Sequence, residues 1–139
     1  MRLGSNAKIE LLKRVRLFAE CSKNELRELA RTADEIDLRE GHVLTKEGRA
    51  GREFFVLVDG TARVTRDGKT IANLGAGDWF GEIALLTNAP RTATVTATSP
   101  VDVLVITDRG FRRVVETMPT IALKVLSCVG DRLARDAKS

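Results

Sequence analysis

Hydrophobic and polar positions divide the chain into helical ends and a β-rich middle. Near the N-terminus, Leu11, Leu12 and Val15 give one apolar side to a short helix. The segment Ser22–Glu25 has the pattern of a capping box, in which a serine and a glutamate close the first turn of a helix. Apolar residues follow this box at helical spacing, namely Leu26, Leu29, Ala30 and Ala33. Residues 1–33 are therefore predicted to be helical.

The middle of the chain is predicted to form short strands separated by turns. Two predicted strands, residues 54–58 and 62–65, lie on either side of an Asp-Gly pair at 59–60, which is typical of a two-residue hairpin. A second Asp-Gly pair at 67–68 predicts another hairpin. Other predicted strands are residues 43–46, the alternating stretch that begins at Thr92, and residues 101–106, which are apolar enough to be buried on both faces.

The C-terminal part returns to helix. Thr107 or Asp108 can cap a helix whose apolar residues recur at helical spacing. From residue 121 to 133 two adjoining apolar stripes follow, a face that is wide for a helix packed on one side only. Helices, then strands, then helices predict an α+β fold, in which an antiparallel, jelly-roll-like β-roll lies between N-terminal helices and two C-terminal helices.

Length predicts one domain over residues 1–139, with N-terminal helices at 1–33, the β-roll at 34–106 and C-terminal helices at 107–136. No apolar stretch approaches the roughly 18 residues that a membrane span requires, so we expect a cytoplasmic protein without a membrane partner. Cys21 and Cys128 both lie in helical patterns and are too few for a four-thiolate metal or iron–sulfur site. They are expected to be reduced, buried thiols.

Charge and chemistry exclude further classes of function. The net charge is +4, but the 23 basic residues are interleaved with 19 acidic ones, so charge alone does not indicate a nucleic-acid partner. His42 is the only histidine, and no serine or cysteine has a plausible histidine partner for nucleophilic catalysis. We therefore expect a binding protein with no catalytic residues, no metal and no cofactor, rather than an enzyme.

A glycine, a carboxylate and an arginine stand close together after the predicted strands. Gly81 and Glu82 begin a short helical turn, whose unpaired N–H groups attract an anion. Arg91 opens the following strand with a planar, permanently charged fork that can bind two phosphate oxygens. Glu82 repels phosphate but can accept hydrogen bonds from a sugar hydroxyl. A pocket that binds an anion on one side and a hydroxyl on the other indicates a nucleotide.

The stretch from Phe80 to Leu86 reads F-G-E-I-A-L-L, and the stretch from Pro90 reads P-R-T-A. These residues resemble the phosphate-binding cassette of the cyclic nucleotide-binding domain family, and the likeness extends from about Leu11 to Leu133. The resemblance implies that Glu82 holds the ribose 2′-hydroxyl and Arg91 the cyclic phosphate. The implied ligand-binding set, within a cassette at residues 80–95, is Phe80, Gly81, Glu82, Ile83, Ala84, Arg91, Thr92 and Ala93. A lid over the base is implied at the last helix, with Leu133 and Arg135.

The resemblance also implies a function, a sensor whose C-terminal helices move when a cyclic nucleotide binds. We expect cAMP rather than cGMP because the chain has a bacterial character, although threonine at position 92 is associated in this family with tolerance of guanine. Two alternatives stay open. One is the sensor half of a Crp/Fnr-type transcription regulator, with no DNA binding by this chain alone. The other is a ligand-independent module that forms a homodimer through its C-terminal helix.

Overall fold

The computed structural model describes the backbone of residues 2–138 and the side chains of residues 2–130. In this part of the chain the α-helices are α1 (Ser5–Arg14), α2 (Lys23–Thr32), α3 (Asp108–Thr117) and α4 (Thr120–Lys138). The strands are β1 (Asp34–Leu38), β2 (Val43–Thr45), β3 (Glu53–Asp59), β4 (Ala62–Arg66), β5 (Lys69–Leu74), β6 (Trp79–Phe80), β7 (Thr94–Ala97) and β8 (Val101–Thr107). Two short 3₁₀ helices complete the set, the first 3₁₀ turn (Arg16–Phe18) and the cassette turn (Glu82–Leu85).

The predicted α+β fold is confirmed, with helices on either side of a β-roll in chain order. The capping box is present, because the side chain of Ser22 accepts from the amide of Glu25 and the carboxylate of Glu25 accepts from the amide of Ser22. The N-terminal helical region is not continuous, however. Cys21 lies in the loop between the first 3₁₀ turn and α2, so its placement in a helical pattern is wrong. Burial and the nearby Glu25 raise the pKa of the Cys21 thiol to about 11, which keeps it protonated and unreactive.

The strands form two four-stranded antiparallel sheets, in the orders β1-β8-β3-β6 and β2-β7-β4-β5. The hairpin predicted at Asp67 and Gly68 is confirmed, because β4 and β5 pair and both turn residues have positive φ angles of 51° and 78°. The hairpin predicted at Asp59 and Gly60 is wrong. Here β3 pairs with β8 and β6 while β4 pairs with β7 and β5, so this turn carries the chain from one sheet to the other.

Strands β3 and β8 bury both of their faces, as predicted for residues 101–106. Their outer side chains, which include Phe54, Val56, Leu104 and Ile106, pack under the helices in one apolar cluster. Their inner side chains, which include Phe55, Leu57, Val103 and Val105, meet the second sheet in another. This two-sided burial makes the pair of strands the rigid centre of the molecule.

The buried carboxylate of Glu25 connects the start of α4 to α2. Glu25 is only 2% exposed and accepts hydrogen bonds from the Thr120 hydroxyl at 2.6 Å and from the Lys124 ammonium at 2.5 Å. Burial raises the pKa of Glu25, but the hydrogen bonds from Lys124, Ser22 and Thr120 outweigh burial and lower the pKa to about 2. The first turns of α4 are thus held against the N-terminal helices by a charged, fully partnered contact.

A second charged cluster lies where β1 pairs with β8. The register places Asp37 opposite Asp102, and Glu35 lies two residues earlier on the same face. Arg2 reaches all three carboxylates, at 3.0 Å from Asp37, 3.6 Å from Glu35 and 3.8 Å from Asp102. Burial and the neighbouring carboxylate of Glu35 raise the pKa of Asp102 to about 7. We call this set of four residues the N-terminal clasp.

Membrane spans and metal clusters are both absent from the described residues. None of the described helices has the length and the apolar character needed to cross a membrane. Within the same part of the chain no three histidine, cysteine, aspartate or glutamate side chains are grouped so that they could hold a metal ion.

Candidate functional site

A cavity of about 650 Å³ opens between the cassette turn, the first 3₁₀ turn and α4. Its volume is in the range that small-molecule sites occupy in proteins. Residues of the cassette and the segment after it line one part of the wall, and residues of the first 3₁₀ turn and α4 line another. The complete lining is Arg16, Leu17, Trp79, Gly81, Glu82, Ile83, Ala84, Leu86, Ala89, Pro90, Arg91, Thr92, Cys128 and Val129.

The cassette turn begins at a glycine that no other residue can replace without strain. Gly81 has a φ angle of +82°, which favours glycine. A β-carbon added at this position would also lie 2.8 Å from the Arg91 guanidinium and 2.9 Å from the carbonyl oxygen of Glu53. The turn then closes with a hydrogen bond of 3.1 Å from the amide of Ala84 to the carbonyl of Gly81. Gly81 thus lets the arginine lie directly against the backbone where the turn starts.

Arg91 supplies a positive charge that is half-buried beside the cavity. Its guanidinium donates to the carbonyl of Glu53 at 2.7 Å and to that of Gly81 at 3.5 Å. No carboxylate among the described side chains lies within ion-pair distance of it. Burial lowers the pKa of Arg91, and the more distant charge of Glu53 opposes this effect. The guanidinium of Arg91 nevertheless stays charged, because arginine is not deprotonated in proteins. This half-buried positive charge favours an anion in the cavity.

Gly51 is a site residue that the sequence analysis missed. A β-carbon at Gly51 would lie 1.8 Å from Nε of Arg91 and 2.2 Å from its guanidinium carbon, so only glycine leaves room for this side chain. A bridge between Ala50 and Pro90 brings the two segments together, and the amide of Arg91 donates to the carbonyl of Arg49 at 2.8 Å. Sequence reasoning cannot see this contact, because Gly51 comes before β3 and Arg91 follows the cassette.

The structure brings most of the predicted ligand-binding residues to one cavity. Those that line it are Gly81, Glu82, Ile83, Ala84, Arg91 and Thr92. Phe80 lies outside the lining because it pairs with Phe55 across the sheet, with the two rings stacked at 5.0 Å. Ala93 also lies outside it, where its carbonyl accepts from the hydroxyl of Thr45 at 3.1 Å. Glu82 and Arg91 therefore line the same cavity.

The rest of the wall comes from elements that sequence reasoning did not assign to the site. Trp79 is half-buried, packs against the core and lines the cavity. Cys128 of α4 donates a hydrogen bond of 3.4 Å from its thiol to the carbonyl of Arg16, which ties the helix to the first 3₁₀ turn. The predicted lid residues, Leu133 and Arg135, lie outside the side chains that the structure describes.

Comparison with known proteins agrees with this geometry. Residues 35–118 match the family model described as the cyclic nucleotide-binding domain. This match covers more than half of the chain, including nearly all of the β-roll and the whole cassette. The chain therefore belongs to the cyclic nucleotide-binding domain family.

Similar curated proteins are regulatory subunits of kinases. The cAMP-dependent protein kinase regulatory subunit of Mycosarcoma maydis is 41% identical over 98 residues, which cover 62% of this chain and 19% of that protein. The corresponding subunit of Debaryomyces hansenii is 36% identical over 105 residues, which cover 75% of this chain and 23% of that protein. The chain thus spans about a quarter or less of the length of these two relatives.

Similar solved structures include a domain of a transcription regulator. The N-terminal domain of a transcriptional regulator from Streptomyces coelicolor A3(2) has a TM-score of 0.84 and 29% identity, with 93% of this chain and 96% of that one covered. The solved structure of cAMP bound PfPKA-R (141-441) has a TM-score of 0.69 and 30% identity, with 91% of this chain and 47% of that one covered. The proteins that this chain resembles are regulatory subunits and regulator domains.

Proposed function

We propose that this domain is a sensor that binds a cyclic nucleotide, cAMP in preference to cGMP, without transforming it. The observation that carries the proposal is that Arg91 and Glu82 line one cavity of nucleotide size. Arg91 offers donors to the cyclic phosphate, and Glu82 offers acceptors to the ribose hydroxyl. The preference for cAMP is supported by the names of the relatives, which are cAMP-dependent kinase subunits and a cAMP-bound protein.

The proposed output is a movement of α4. The cassette turn lies between the cavity and an apolar groove of about 290 Å³ on its other side. Residues of the cassette turn, α3 and α4 line this groove, among them Leu85, Leu86, Phe111, Val125 and Leu126. A ligand that draws the cassette turn toward Arg91 would shift Leu85 and Leu86 against both helices. The domain would then have two arrangements, one before and one after this shift. A ligand changes the equilibrium between them only to the extent that it binds one more tightly than the other.

Replacement of the arginine tests the proposed site. We expect Arg91→Ala to lower the affinity for cAMP by about a hundredfold or more, because it removes the only described guanidinium at the cassette end of the cavity. Isothermal titration calorimetry measures this loss. The matched control is Arg63→Ala, which removes an equally charged, exposed side chain on β4.

The controls separate the possible outcomes. Arg91→Lys keeps the charge but loses the fork, so its affinity should lie between those of the wild-type protein and Arg91→Ala. An Arg91→Ala protein that melts normally and binds cAMP as tightly as the wild type would remove Arg91 from the site. A wild-type protein that binds neither cAMP nor cGMP would overturn the sensor assignment itself.

A second candidate function is association through α4. Leu123 and Leu126 of this helix are 67% and 60% exposed, which is unusual for leucines of a helix whose other face packs on the core. This exposure favours a homodimer, and it is compatible with a sensor or with a module that no longer binds ligand. Stabilisation of the domain by cAMP in a thermal shift assay favours the sensor, because a ligand stabilises only the folded state that binds it. The cytoplasmic location and the single domain over residues 1–139 stay predictions.

A further inference from the structure

A second guanidinium lines the cavity, and it comes from a part of the chain that the cassette does not include. Arg16 begins the first 3₁₀ turn, where its carbonyl accepts from the amide of Ala19 at 3.2 Å and from the thiol of Cys128. The next two residues anchor this turn in the core, since Leu17 is 7% exposed and Phe18 is fully buried. The side chain of Arg16 therefore extends toward the cavity from a fixed backbone position.

The two arginines of the cavity differ in their partners. The guanidinium of Arg91 already donates to two backbone carbonyls, which hold it beside the cassette turn. The guanidinium of Arg16 has no hydrogen bond or ion pair with any side chain or backbone group that the structure describes, so its donors are available to water or a ligand. A guanidinium has five N–H donors and no acceptor, so its ligand partner must present acceptors.

The position of Arg16 indicates which part of a nucleotide it would contact. In the proposed function the phosphate lies at Arg91 and the ribose at Glu82, both in the cassette segment. The wall formed by the first 3₁₀ turn and α4 is left for the base, and its other members are Leu17, Cys128 and Val129. These side chains offer apolar surface to the faces of a planar ring, and Arg16 offers donors to its edge.

We propose that Arg16 recognises the base and sets the ratio of the affinities for cGMP and cAMP. This inference rests on the proposed function, because it requires that a cyclic nucleotide occupies the cavity. Guanine presents two adjacent acceptors, N7 and O6, which match the arginine fork. Adenine presents N7 beside an amino group that is itself a donor, so it can use only part of the fork. Arg16 thus raises the affinity for cGMP more than that for cAMP, and it lets a cAMP-preferring cavity accept both purines.

Titration of both nucleotides into matched variants tests the inference. We expect Arg16→Ala to lower the affinity for cGMP by about tenfold or more and that for cAMP by about threefold at most, so that their ratio changes. The control Arg14→Ala removes an exposed arginine of α1 that does not line the cavity, and it should leave the ratio unchanged. Wild-type protein should also bind 7-deaza-cGMP, which lacks the N7 acceptor, about tenfold more weakly than cGMP.

Each outcome either supports or overturns the inference. A changed ratio in Arg16→Ala, together with weak binding of 7-deaza-cGMP, supports it. Equal losses for both nucleotides mean that Arg16 acts on the phosphate or through general charge, and unchanged affinities mean that it does not touch the ligand; either result overturns the inference but leaves the sensor intact. Should Arg16→Ala fail to fold, the wild-type protein still provides the test, because equal affinities for 7-deaza-cGMP and cGMP would overturn the inference. If the wild-type protein binds no cyclic nucleotide, the proposed function and this inference fall together.

Discussion

Arg91 is seated between two residues that have no side chain. Gly81 leaves space for its guanidinium on the cassette side, and Gly51 leaves space for it on the side of the loop before β3. The arginine therefore lies flat against the backbone, and its two donated hydrogen bonds fix the plane of the guanidinium. A fork held in one plane before the ligand arrives loses little conformational freedom on binding.

A methyl group at Gly51 should displace the fork. We expect Gly51→Ala to weaken cAMP binding by about tenfold or more, because its β-carbon would lie 1.8 Å from Nε of Arg91. The control is Gly75→Ala, where no atom lies within 4 Å of the added carbon and the φ angle is not positive. Calorimetry measures the cAMP affinity of both variants. Equal affinities of Gly51→Ala and Gly75→Ala would show that the position of the Arg91 side chain does not affect cAMP binding.

Among single residues, the sequence predicts those site residues that lie close together along the chain. It misses those that come from distant segments and reach the site only in the folded protein. Gly81, Glu82 and Arg91 are identified because their chemistry is concentrated in a short segment. Gly51 and Arg16 carry no such pattern, since a glycine in a loop and an arginine in a helical region are common in any protein. Their positions at the site depend on how distant segments pack together, and the identity of a single residue does not predict that packing.

Prediction of the secondary-structure elements from the sequence is limited in the same way, because local signals do not specify which strands pair. The Asp59-Gly60 pair is a genuine turn signal, but the signal specifies the local bend and not the partners of the strands it joins. Here Gly60 has a φ angle of +94° at a crossing between sheets. Strand β1 escapes pattern analysis for a different reason. Its sequence, D-E-I-D-L, is mostly acidic, and two of its three carboxylates, those of Glu35 and Asp37, lie within ion-pair distance of Arg2 in the N-terminal clasp.

The clasp makes the stability of the fold depend on pH. The pKa of Asp102 rises from 3.8 to about 7 on folding, so between these values the folded state keeps a proton that the unfolded state releases. Stability should therefore fall as the pH rises from about 4 to about 7, by roughly 1 to 3 kcal/mol in total. Glu25 and Glu35 have the opposite sign, because folding lowers the pKa of each carboxyl group, and their effect is confined to pH values below about 4.5.

Substitution by asparagine should remove this dependence. Asp102→Asn stays neutral at every pH, so the free energy of unfolding, measured with urea, should change less between pH 5 and pH 8 than in the wild-type protein. Asp34→Asn is the control, since it removes an exposed carboxylate from the neighbouring strand β1. If wild-type stability is the same at both pH values, folding does not raise the pKa of Asp102.

In the whole molecule, α4 is anchored to α2 through Glu25 near its start, and further along it lines the cavity and contacts the carbonyl of Arg16 through Cys128. Glu25 holds Thr120 and Lys124, whereas Cys128 and Val129 line the cavity. A ligand can therefore act on the later turns of the helix while the first turns stay anchored to α2. In the proposed movement, the pivot of the helix would lie where Lys124 contacts Glu25.

Hydrogen exchange can locate this pivot. We expect saturating cAMP to slow amide exchange in α4 beyond Lys124, in residues 125–130, and to leave the exchange of residues 121–124 within about twofold of its ligand-free rate. Mass spectrometry with overlapping peptides resolves the two segments. Exchange that is unchanged throughout the helix, at nucleotide concentrations where binding is complete, would show that the ligand is not coupled to α4.

Leu86 belongs to the lining of both the cavity and the apolar groove behind the cassette turn. In the proposed function, the surface that would bind the ligand and the surface that would contact α3 and α4 therefore share one side chain. Under that function, a substitution of Leu86 would change the ligand-binding surface and the helix-contacting surface at the same time.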